Sequence, residues 1–508
     1  MTRIITAEDY AYKTDPYEHQ AKAFKLSRDV EDYALLMEMG TGKTKVIIDT
    51  AAWLYACGRL NFLLVVAPNE VHKNWVLREI PVHMPDWVPH RCAIWSSDMR
   101  AKDRKDYERL WDPKFQGLRI LAVNVEAFGV QERWWRAKRG GPKKFGSEVH
   151  KILDSFDAMF VIDESSKIKT PGARRTKRLW ALGRRAIYRR IMTGTPITNS
   201  PLDLYAQFRF LGAQYLGFTN FFSFKHHYAE WKTERNWKAE KDYEVCTGYK
   251  NLDELTHRMD EVSFRVTKKE CLDLPEKVYV RRLVAMTDAQ RKMYAKLRDD
   301  SLLELQQEEF KVANVLVKML RLQQILGGWL PDMENPGEAA LPIFDNPKAN
   351  PRMKAVMDVA DETSSKIIIW ARFRAEIKAI VKVLNDTYGQ GIAVPFYGDV
   401  KSADRNENID RFQNEQSKTC RFFVAQQHSG GYGLTLTAAS YVIYYSNDFS
   451  LEARLQSEDR CHRIGQKNPV TYIDFECLGT IDTRIITALR NKKKLADTIT
   501  RDDVSSWL

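Results

Sequence analysis

The chain has 508 residues, more than one hydrophobic core normally organises, so we expect two or more domains. Its 79 Lys and Arg residues against 67 Asp and Glu residues give a net charge of +12, which suits a polyanionic partner but also an ordinary soluble basic enzyme. The cysteines are scattered without a CxxC pair, which argues against a thiolate zinc centre and predicts reduced thiols. No apolar run reaches membrane-spanning length, which argues against a membrane-embedded chain. Because the N-terminal segment also lacks a signal-peptide core, we expect a cytoplasmic, non-secreted protein.

The first segment with a chemical role to consider is DPYEHQAKAFK, residues 15–25, which has the pattern of a helix start. Gln20 can donate and accept hydrogen bonds at once, as recognition of an adenine edge requires. Taken alone, the segment is equally well an ordinary helix start.

A phosphate-binding loop is predicted at residues 39–44. The apolar run ALLM leads into it and an apolar helical pattern follows, which is the strand–loop–helix context that such a loop needs. Lys43 can neutralise the β- and γ-phosphates, Thr44 can bind Mg²⁺, and the helix N-terminus favours negative charge. The upstream glycine of the full GxxxxGK[ST] pattern is missing, because Met37 occupies its position. The predicted nucleotide-binding residues of this loop are Gly40, Thr41, Gly42, Lys43 and Thr44.

Two carboxylates close the apolar run DAMFVIDE at residues 157–164. Open α/β sheets bind ligands at the carboxyl ends of their strands, where Asp163 and Glu164 would lie. Asp163 would then hold Mg²⁺, and Glu164 would orient or deprotonate the attacking water. Without the upstream loop, the same pair would indicate only an acidic strand end at the surface.

Apolar runs at 63–67 and 119–125 and the segment IMTGTPITN at 191–199 continue the alternation of strand and helix patterns. This alternation predicts an α/β domain with a mostly parallel sheet. The hydroxyl-rich turn after residue 192 could sense a neighbouring nucleotide, although in isolation it is an ordinary turn.

Two basic stretches follow different patterns. The segment 131–146 mixes cations with tryptophans in a Gly-Gly-Pro loop, which suits a nucleic-acid strand or groove, while a solvated loop is the open alternative. The segment 172–190 predicts a helix on which many charges face water. The nucleic-acid candidates of the first stretch are Trp134, Trp135, Arg136 and Lys138.

Helical patterns dominate from residue 201 to 345, and 286–328 predicts one or two long helices that end at Gly327-Gly328. After a Pro/Gly-rich linker at 331–347, strand patterns resume and predict a second α/β domain without a phosphate-binding loop. Its predicted strands are 366–373, 392–398, 421–427, 441–447 and 470–476, followed by an amphipathic helix at 481–499.

The stretch 429–466, SGGYGLTLTAASYVIYYSNDFSLEARLQSEDRCHRIGQ, holds a second group of candidates. Arg460 and Arg463 are spaced so that, on a helix or its terminal turn, both guanidinium groups point the same way. Two permanent charges aimed at one place indicate a polyanion such as a triphosphate, against the alternative of a solvated basic helix end. Gln456 lies on the same amphipathic segment. We expect this stretch and the phosphate-binding loop to meet across a cleft.

In their order along the chain, these segments resemble the helicase-like ATPases of superfamily two and, more narrowly, the Swi/Snf family of double-strand DNA translocases. The resemblance covers about residues 12–499. It is carried by PYEHQ (16–20), MGTGKT (39–44), VVAPNEVHKNW (65–75), DESSKIKT (163–170), TGTPITN (193–199), FRVTKKECLDLPEK (264–277), MTDAQRKMY (286–294), FYGDV (396–400), SGGYGLTLTAA (429–439), QSEDRCHRIGQ (456–466) and GTIDTRI with KKKLAD (479–497).

The resemblance implies an α/β fold of two RecA-like parallel-sheet lobes with helical insertions between them, and ATP with Mg²⁺ as the bound nucleotide. The expected domains are an ATP-binding lobe at 1–212, helical protrusions and a linker at 213–345, a second lobe at 346–480 and a C-terminal helical segment at 481–508. In the first lobe, the implied roles are adenine contact for Gln20, phosphate and Mg²⁺ binding for Lys43 and Thr44, and binding of the metal and the attacking water for Asp163 and Glu164. In the second lobe, Gln456, Arg460 and Arg463 would complete the ATP site, with the arginines acting as arginine fingers. Nucleotide or DNA contact is implied for Gly433 and Thr435, and DNA contact for Lys73 and Asn74.

Members of this family move along duplex DNA without necessarily separating its strands. The resemblance therefore implies double-stranded or branched DNA as the partner, bound through its backbone with little sequence specificity and strong salt dependence. We expect a monomer in a bacterial or phage-infected cell; the sequence does not identify its protein partners.

One departure from the family pattern is chemical. Where the family usually has DEAH or DEGH, this chain has Asp163-Glu164-Ser165-Ser166, so that a serine must replace whatever coupling the histidine provides. Other functions stay open: a helicase that separates strands or remodels or anneals branched DNA, and a nucleotide-gated protein that binds DNA or RNA polymerase with little turnover. A small-molecule kinase with a phosphate-binding loop would leave the second lobe without a role.

Overall fold

Two parallel sheets, each built from strands that are apolar along most of their length, organise the chain. The computed structural model describes residues 10–69, 71–96, 99, 101–130, 145–236, 241–307, 312–330, 341–414, 419–427 and 434–500. Unit 1 comprises Met1–Lys232, Glu244–Asp273 and Leu495–Leu508, and unit 2 comprises Thr233–Tyr243 and Leu274–Lys494.

The elements of the first part of the chain begin with a helix that precedes the first strand. They are α1 (Glu18–Ser27), β1 (Asp32–Met37), α2 (Lys43–Ala56), β2 (Phe62–Ala67), α3 (Val71–Asn74), a π-helix (Trp75–Glu79), α4 (Ile80–His83), β3 (His90–Trp95), α5 (Ala101–Leu110), β4 (Leu118–Asn124), a 3₁₀ helix (Val125–Gly129), α6 (Phe145–Ser155), β5 (Ala158–Asp163), a 3₁₀ helix (Ser165–Ile168), α7 (Arg174–Gly183), β6 (Tyr188–Met192), α8 (Asp203–Leu211), α9 (Phe221–Tyr228), β7 (Ala229–Asn236), β8 (Lys241–Tyr249), α10 (Leu252–Asp260), β9 (Ser263–Val266) and α11 (Lys268–Cys271).

The elements of the second part begin with a strand. They are β10 (Lys277–Leu283), α12 (Asp288–Gln307), α13 (Val312–Gly327), β11 (Trp329–Leu330), β12 (Leu341–Pro342), a 3₁₀ helix (Pro347–Ala349), α14 (Pro351–Glu362), β13 (Lys366–Trp370), α15 (Arg374–Tyr388), β14 (Ala393–Phe396), α16 (Ser402–Gln413), β15 (Phe422–Ala425), β16 (Ala439–Tyr444), α17 (Leu451–Glu458), β17 (Val470–Glu476) and α18 (Ile481–Thr500).

The unit 1 sheet has the strand order β3-β4-β2-β5-β6-β1-β9, and all its pairs are parallel. Alternate residues of each strand enter separate cores: Leu64 and Val66 of β2 pack on one face, and Leu63 and Val65 pack on the other. Because helices cover both faces, the central strands carry continuous apolar runs. This is why the sequence predicted them.

The unit 2 sheet has the order β10-β17-β16-β13-β15-β14, again with parallel pairs. It is buried on both faces in the same way, with Ile367 and Ile369 of β13 in one core and Ile368 and Trp370 in the other. The predicted class, α/β with two parallel sheets, is confirmed.

The strands that the sequence did not predict are short or lie at the edges of the sheets. β3 and β10 each pair with one neighbour, and β9 has four residues, so none of them needs a long apolar run. The expectation that 213–345 is a region of helices is therefore wrong in part, since β7 to β12 lie within it. The prediction of long helices within 286–328 is confirmed by α12 and α13, the second of which ends at Gly327.

The two observed units include more residues than the two lobes that were expected at 1–212 and 346–480. Among the described residues, no helix combines the length and the apolar composition that a bilayer crossing requires.

Register brings three strand ends of unit 1 together. Asp163, the last residue of β5, pairs with Met192, the last residue of β6, and Met192 pairs with Leu35 of β1. The segments that follow these strands, namely the predicted phosphate-binding loop, the acidic pair and the Thr-Gly-Thr-Pro turn, therefore begin side by side at one edge of the sheet.

A buried arginine fixes helix α1 to this sheet. Arg190 of β6 is fully buried, and its guanidinium donates hydrogen bonds to the carbonyls of Ser27 (2.8 Å), Val30 (2.5 Å) and Glu31 (2.7 Å). Burial lowers the pKa of Arg190 to about 10, which still leaves it charged at neutral pH. The guanidinium thus satisfies carbonyls at the end of α1, the helix that carries Gln20.

Replacing Arg190 by Met should lower the free energy of unfolding by about 3 kcal/mol, because three carbonyls, of which that of Ser27 is buried, lose their donor at roughly 1 kcal/mol each. Urea unfolding followed by circular dichroism measures this loss. The control is Arg184→Met, since Arg184 is exposed just after α7. Equal losses for the two variants would show that the carbonyl contacts contribute nothing.

Candidate nucleotide site

The glycines of the predicted phosphate-binding loop adopt backbone conformations that other residues rarely take. Gly40 has φ +77° and Gly42 has φ +88°, and α2 begins at the next residue, Lys43. Met37, which occupies the place of the missing upstream glycine, is the fully buried last residue of β1. The departure from the full motif is therefore accommodated, because position 37 belongs to the strand and not to the turn.

The side chain of Lys43 folds back over this loop. Its Nζ donates hydrogen bonds to the carbonyls of Met37 (2.8 Å) and Glu38 (3.1 Å), and the residue is buried. The loop backbone thereby fixes the position of the ammonium group at the N-terminus of α2. Both the charge and the N-terminal N–H groups of the helix favour a phosphate at this point.

Helix α1 supports the loop from one side. Gln20 Nε2 (3.0 Å) and His19 Nε2 (2.8 Å) both bind the Thr41 carbonyl, and Gln20 Oε1 accepts the N–H of Tyr17 (3.1 Å). A Cβ atom on Gly42 would lie 2.1 Å from Gln20 Nε2, so the helix and the loop are in direct contact. Gln20 therefore holds the loop, and adenine recognition by Gln20 stays a prediction. No sequence pattern singled out His19 beyond its place in PYEHQ.

Glu38 connects the loop to a distant part of unit 1. Its carboxylate accepts the backbone N–H of Lys268 (2.7 Å), the first residue of α11. That helix is capped by Thr267, whose N–H and hydroxyl both bind the carboxylate of Glu270. The segment FRVTKKECLDLPEK is thus fastened to the phosphate-binding loop, a contact that the sequence did not predict.

Asp163 is a buried carboxylate held by defined donors. Trp75 Nε1 donates to its Oδ2 (2.9 Å), and the N–H of Glu164 donates to its Oδ1 (2.9 Å). Burial raises the pKa of Asp163, while the Trp75 hydrogen bond and the charge of Lys43 oppose that rise. Trp75 begins a π-helix, an irregularity that often marks functional sites, and the sequence did not single it out.

Glu164 lies in a strained conformation. Its φ is +51°, in the left-handed region that costs a non-glycine residue about 1–2 kcal/mol. Its carboxylate accepts the Thr193 hydroxyl (3.3 Å), which in turn accepts the N–H of Thr195 (3.1 Å). The acidic pair and the Thr-Gly-Thr-Pro turn are therefore in contact, as the register of their strands requires.

The candidates of unit 2 lie around the end of α17. Gln456 on this helix donates to Glu452 (3.2 Å), and the Arg463 guanidinium donates to the Leu434 carbonyl (3.2 Å). The Arg460 carbonyl accepts the N–H of Leu436 (2.8 Å). Since α17 ends at Glu458, both arginines lie in the turns that follow it, and helical spacing does not fix their common direction.

A buried charge cluster underlies the same helix. Arg454 binds Asp474 through both guanidinium Nη atoms (2.5 and 3.1 Å), binds Glu458 (2.8 Å) and stacks 3.6 Å from the Tyr444 ring. Burial alone would raise the pKa of Glu458, but the charges of Lys277 and Arg454 outweigh it and lower that pKa. This cluster fixes α17 to β16 and β17.

The nucleic-acid candidates are only partly placed. Lys73 and Asn74 are half-buried at the end of α3, directly before Trp75. Thr435 is half-buried between Leu434 and Leu436, which contact Arg463 and Arg460. Gly433, Trp134, Trp135, Arg136 and Lys138 lie outside the described residues.

The unit 1 residues fit a nucleoside triphosphate with Mg²⁺. The positive-φ glycines, the helix N-terminus and Lys43 suit phosphate, and the half-buried Thr44 hydroxyl and the Asp163 carboxylate are oxygen donors of the kind that Mg²⁺ prefers. No cluster of three or more metal-binding side chains occurs among the described residues.

Comparisons with known proteins find a matching family model for each half of the chain. A family model described as the SNF2-related domain matches residues 17–327, and one described as the helicase conserved C-terminal domain matches residues 351–465. The chain is 26% identical over 496 residues to "Uncharacterized ATP-dependent helicase MG018" of Mycoplasma genitalium, covering 96% of this chain and 42% of that protein.

A second relative is "Putative ATP-dependent helicase/translocase YwqA" of Bacillus subtilis, 24% identical over 481 residues, which are 93% of this chain and 46% of that protein. The chain thus spans less than half of the length of these relatives. A solved Sulfolobus solfataricus SWI2/SNF2 ATPase core in complex with dsDNA is 23% identical with a TM-score of 0.40, covering 99% of this chain and 96% of that chain.

Replacing Gly42 by Ala should weaken nucleotide binding at least tenfold, since a Cβ atom at φ +88° costs about 1–2 kcal/mol and collides with Gln20. Titration with a fluorescent ATP analogue measures the affinity. Gly172→Ala serves as the control, because its added Cβ has nothing within 4 Å. Wild-type affinity in the Gly42 variant would contradict the assignment of this loop as the phosphate site.

Proposed function

Because this chain belongs to the SNF2-related family of helicase-like ATPases, we propose that it is a DNA-dependent ATPase that hydrolyses ATP to move along duplex DNA, mainly through backbone contacts. The observation that carries the proposal is the side-by-side arrangement of the phosphate-binding loop, Asp163-Glu164 and the Thr193–Pro196 turn at one sheet edge.

In the proposed reaction, Lys43 and the N-terminus of α2 bind the phosphates. Asp163 and Thr44 would hold Mg²⁺, which would supply positive charge to the phosphate oxygens. Glu164 accepts a proton from, or orients, the attacking water, and the Thr193 hydroxyl steadies its carboxylate. The hydrogen bond from Trp75 keeps Asp163 in one orientation and favours its charged form.

For Arg460 and Arg463 we propose a phosphate-binding role as arginine fingers during turnover. Guanidinium groups stay charged at all working pH values and match phosphate geometry, so they suit the charge that develops in phosphoryl transfer. The buried cluster of Arg454, Glu458 and Asp474 supports this role by fixing the helix from which the two arginines follow.

Movement on duplex DNA is supported by the name of the Bacillus relative, a putative helicase/translocase, and by the net charge of +12. A basic protein that contacts the phosphate backbone binds with little sequence preference. The proposal is tested against three alternative functions, which are strand separation, branched-DNA remodelling, and polymerase binding with little turnover.

Replacing Lys43 or Arg463 by Ala should reduce ATP turnover by about 10³-fold or more, since each removes charge that stabilises the transferred phosphoryl group. Phosphate release under saturating ATP and duplex DNA gives the rate. Circular dichroism should show an unchanged fold.

Lys151→Ala on α6 and Arg484→Ala on α18 are the matched controls, because both side chains are exposed charges of the same units. A Lys43 or Arg463 variant that hydrolyses ATP at the rate of its control would refute the assigned site.

Duplex DNA should stimulate ATP hydrolysis by roughly tenfold or more, with a stimulation that falls steeply between low and physiological salt as counterion release requires. Titration with duplex, single-stranded and forked DNA, beside displacement of a triplex-forming strand, distinguishes the outcomes. Triplex displacement without unwinding supports translocation, and unwinding of forks favours a helicase. Absence of DNA stimulation favours the polymerase-binding alternative.

A further inference from the structure

Gln207 of α8 forms a buried bridge between the acidic pair and the turn beside it. Its Oε1 accepts the Ser165 hydroxyl (2.7 Å), and its Nε2 donates to the Pro196 carbonyl (2.6 Å) and to the Asp203 carbonyl (2.9 Å). Gln207 and Ser165 are both fully buried. Because carbonyls only accept, the amide orientation is fixed by these partners.

The same turn is tied to α8 a second time. The carboxylate of Asp203, the first residue of α8, accepts the N–H of Thr198 (3.0 Å), the Thr198 hydroxyl (2.9 Å) and the N–H of Asn199 (2.8 Å). Lys169, which follows the acidic pair, donates to the Thr198 hydroxyl and lies 4.0 Å from Asp203. The turn 193–199 and the segment 164–169 are therefore both anchored on one helix.

The bridge acts on a strained residue. Ser165 directly follows Glu164, whose positive φ persists only if its surroundings impose it. Anchoring Ser165 to Gln207 fixes the backbone on one side of Glu164, and the Thr193 hydroxyl fixes its carboxylate on the other.

We infer that Gln207 is a positioning residue that, through Ser165, holds Glu164 in the geometry for water activation and couples it to the turn 193–199. The inference rests on the proposed ATP hydrolysis and deepens it. Ser165 stands where DEAH and DEGH have alanine or glycine, so its hydroxyl adds this link to the site, while Ser166 occupies the position of the histidine. Glu164 touches the reacting water, and Gln207 acts only through the protein.

The first test separates catalysis from binding. Gln207→Leu keeps the volume but removes both ends of the bridge, so kcat for DNA-stimulated hydrolysis should fall about 10²-fold, as sub-ångström to 1 Å misplacement does, while KM for ATP changes less than about twofold. Ser165→Ala should lower kcat in the same direction. Because Ser165→Ala breaks a hydrogen bond that Gln207→Leu already removes, the double variant should be no slower than Gln207→Leu.

Phe208→Leu is the matched control, because Phe208 is a fully buried core residue on the same helix and outside the bridge. It should lower the melting temperature as much as Gln207→Leu does but leave kcat within about twofold, as a well-folded core substitution allows. An equal fall of kcat in Phe208→Leu, or additive effects of the Ser165 and Gln207 variants, would overturn the inference.

The second test does not depend on ATP hydrolysis. Hydrogen–deuterium exchange of the peptide 193–199 should accelerate at least about tenfold in Gln207→Leu relative to Phe208→Leu, with β2 unchanged in both. If the wild-type protein does not hydrolyse ATP, the proposed function fails while the exchange result still tests the bridge. If hydrolysis is robust and neither exchange nor kcat responds to Gln207→Leu, the inference alone is wrong.

Discussion

The parallel register of β5, β6 and β1 is the constraint on which the nucleotide site depends. It aligns Asp163 with Met192 and Met192 with Leu35, and β1 ends shortly after Leu35, at Met37, so the chain leaves three adjacent strands close together at their carboxyl ends. A glycine loop, two carboxylates and a hydroxyl-rich turn are each ordinary on a protein surface. They form a site because parallel strands deliver them to one edge, where the helix N-terminus of α2 adds its dipole. Hydrogen bonds then hold the loop in place. Arg190 of β6 binds the end of α1, and α1 binds the loop through His19 and Gln20.

The sequence predicted these strand ends because buried parallel strands need continuous apolar residues, and the functional groups stand directly after those runs. The functional groups after these runs also carry the family resemblance, and the match of the SNF2-related domain model to residues 17–327 confirms that resemblance. It did not predict Trp75, Arg190 or Gln207. Each acts through a hydrogen bond to a partner far away in the sequence, such as Trp75 to Asp163, and no local pattern reports such a pair. The sequence did not predict the edge strand β10, because all its residues are half-buried or exposed and its sequence mixes apolar with charged residues.

Unit 2 shows why arginines are hard to interpret from sequence. Arg454, Arg460 and Arg463 lie within ten positions of one another and look alike in the pattern. The structure distinguishes Arg454 by its contacts, because its guanidinium makes two hydrogen bonds to Asp474 and one to Glu458 and stacks on Tyr444. A buried charge that is already paired serves to position the fold, and removing it would leave Asp474 and Glu458 uncompensated. The contacts of Arg454 therefore give it a structural role, and the functional assignment of Arg460 and Arg463 stays a proposal.

The Ser165-Ser166 departure removes a titratable group beside Glu164 and adds a hydroxyl, because Ser166 stands where DEAH and DEGH have histidine and Ser165 stands where they have alanine or glycine. A histidine titrates near neutral pH, so its hydrogen bonds depend on its protonation state. A hydroxyl, an amide and a backbone carbonyl do not titrate near neutral pH, so the connection from Ser165 through Gln207 to Pro196 keeps the same donors and acceptors. Its strength instead depends on geometry, since every partner is buried and a lost bond would leave an unsatisfied polar group. That dependence ties the conformation of the strained Glu164 to the packing of α8 rather than to proton uptake.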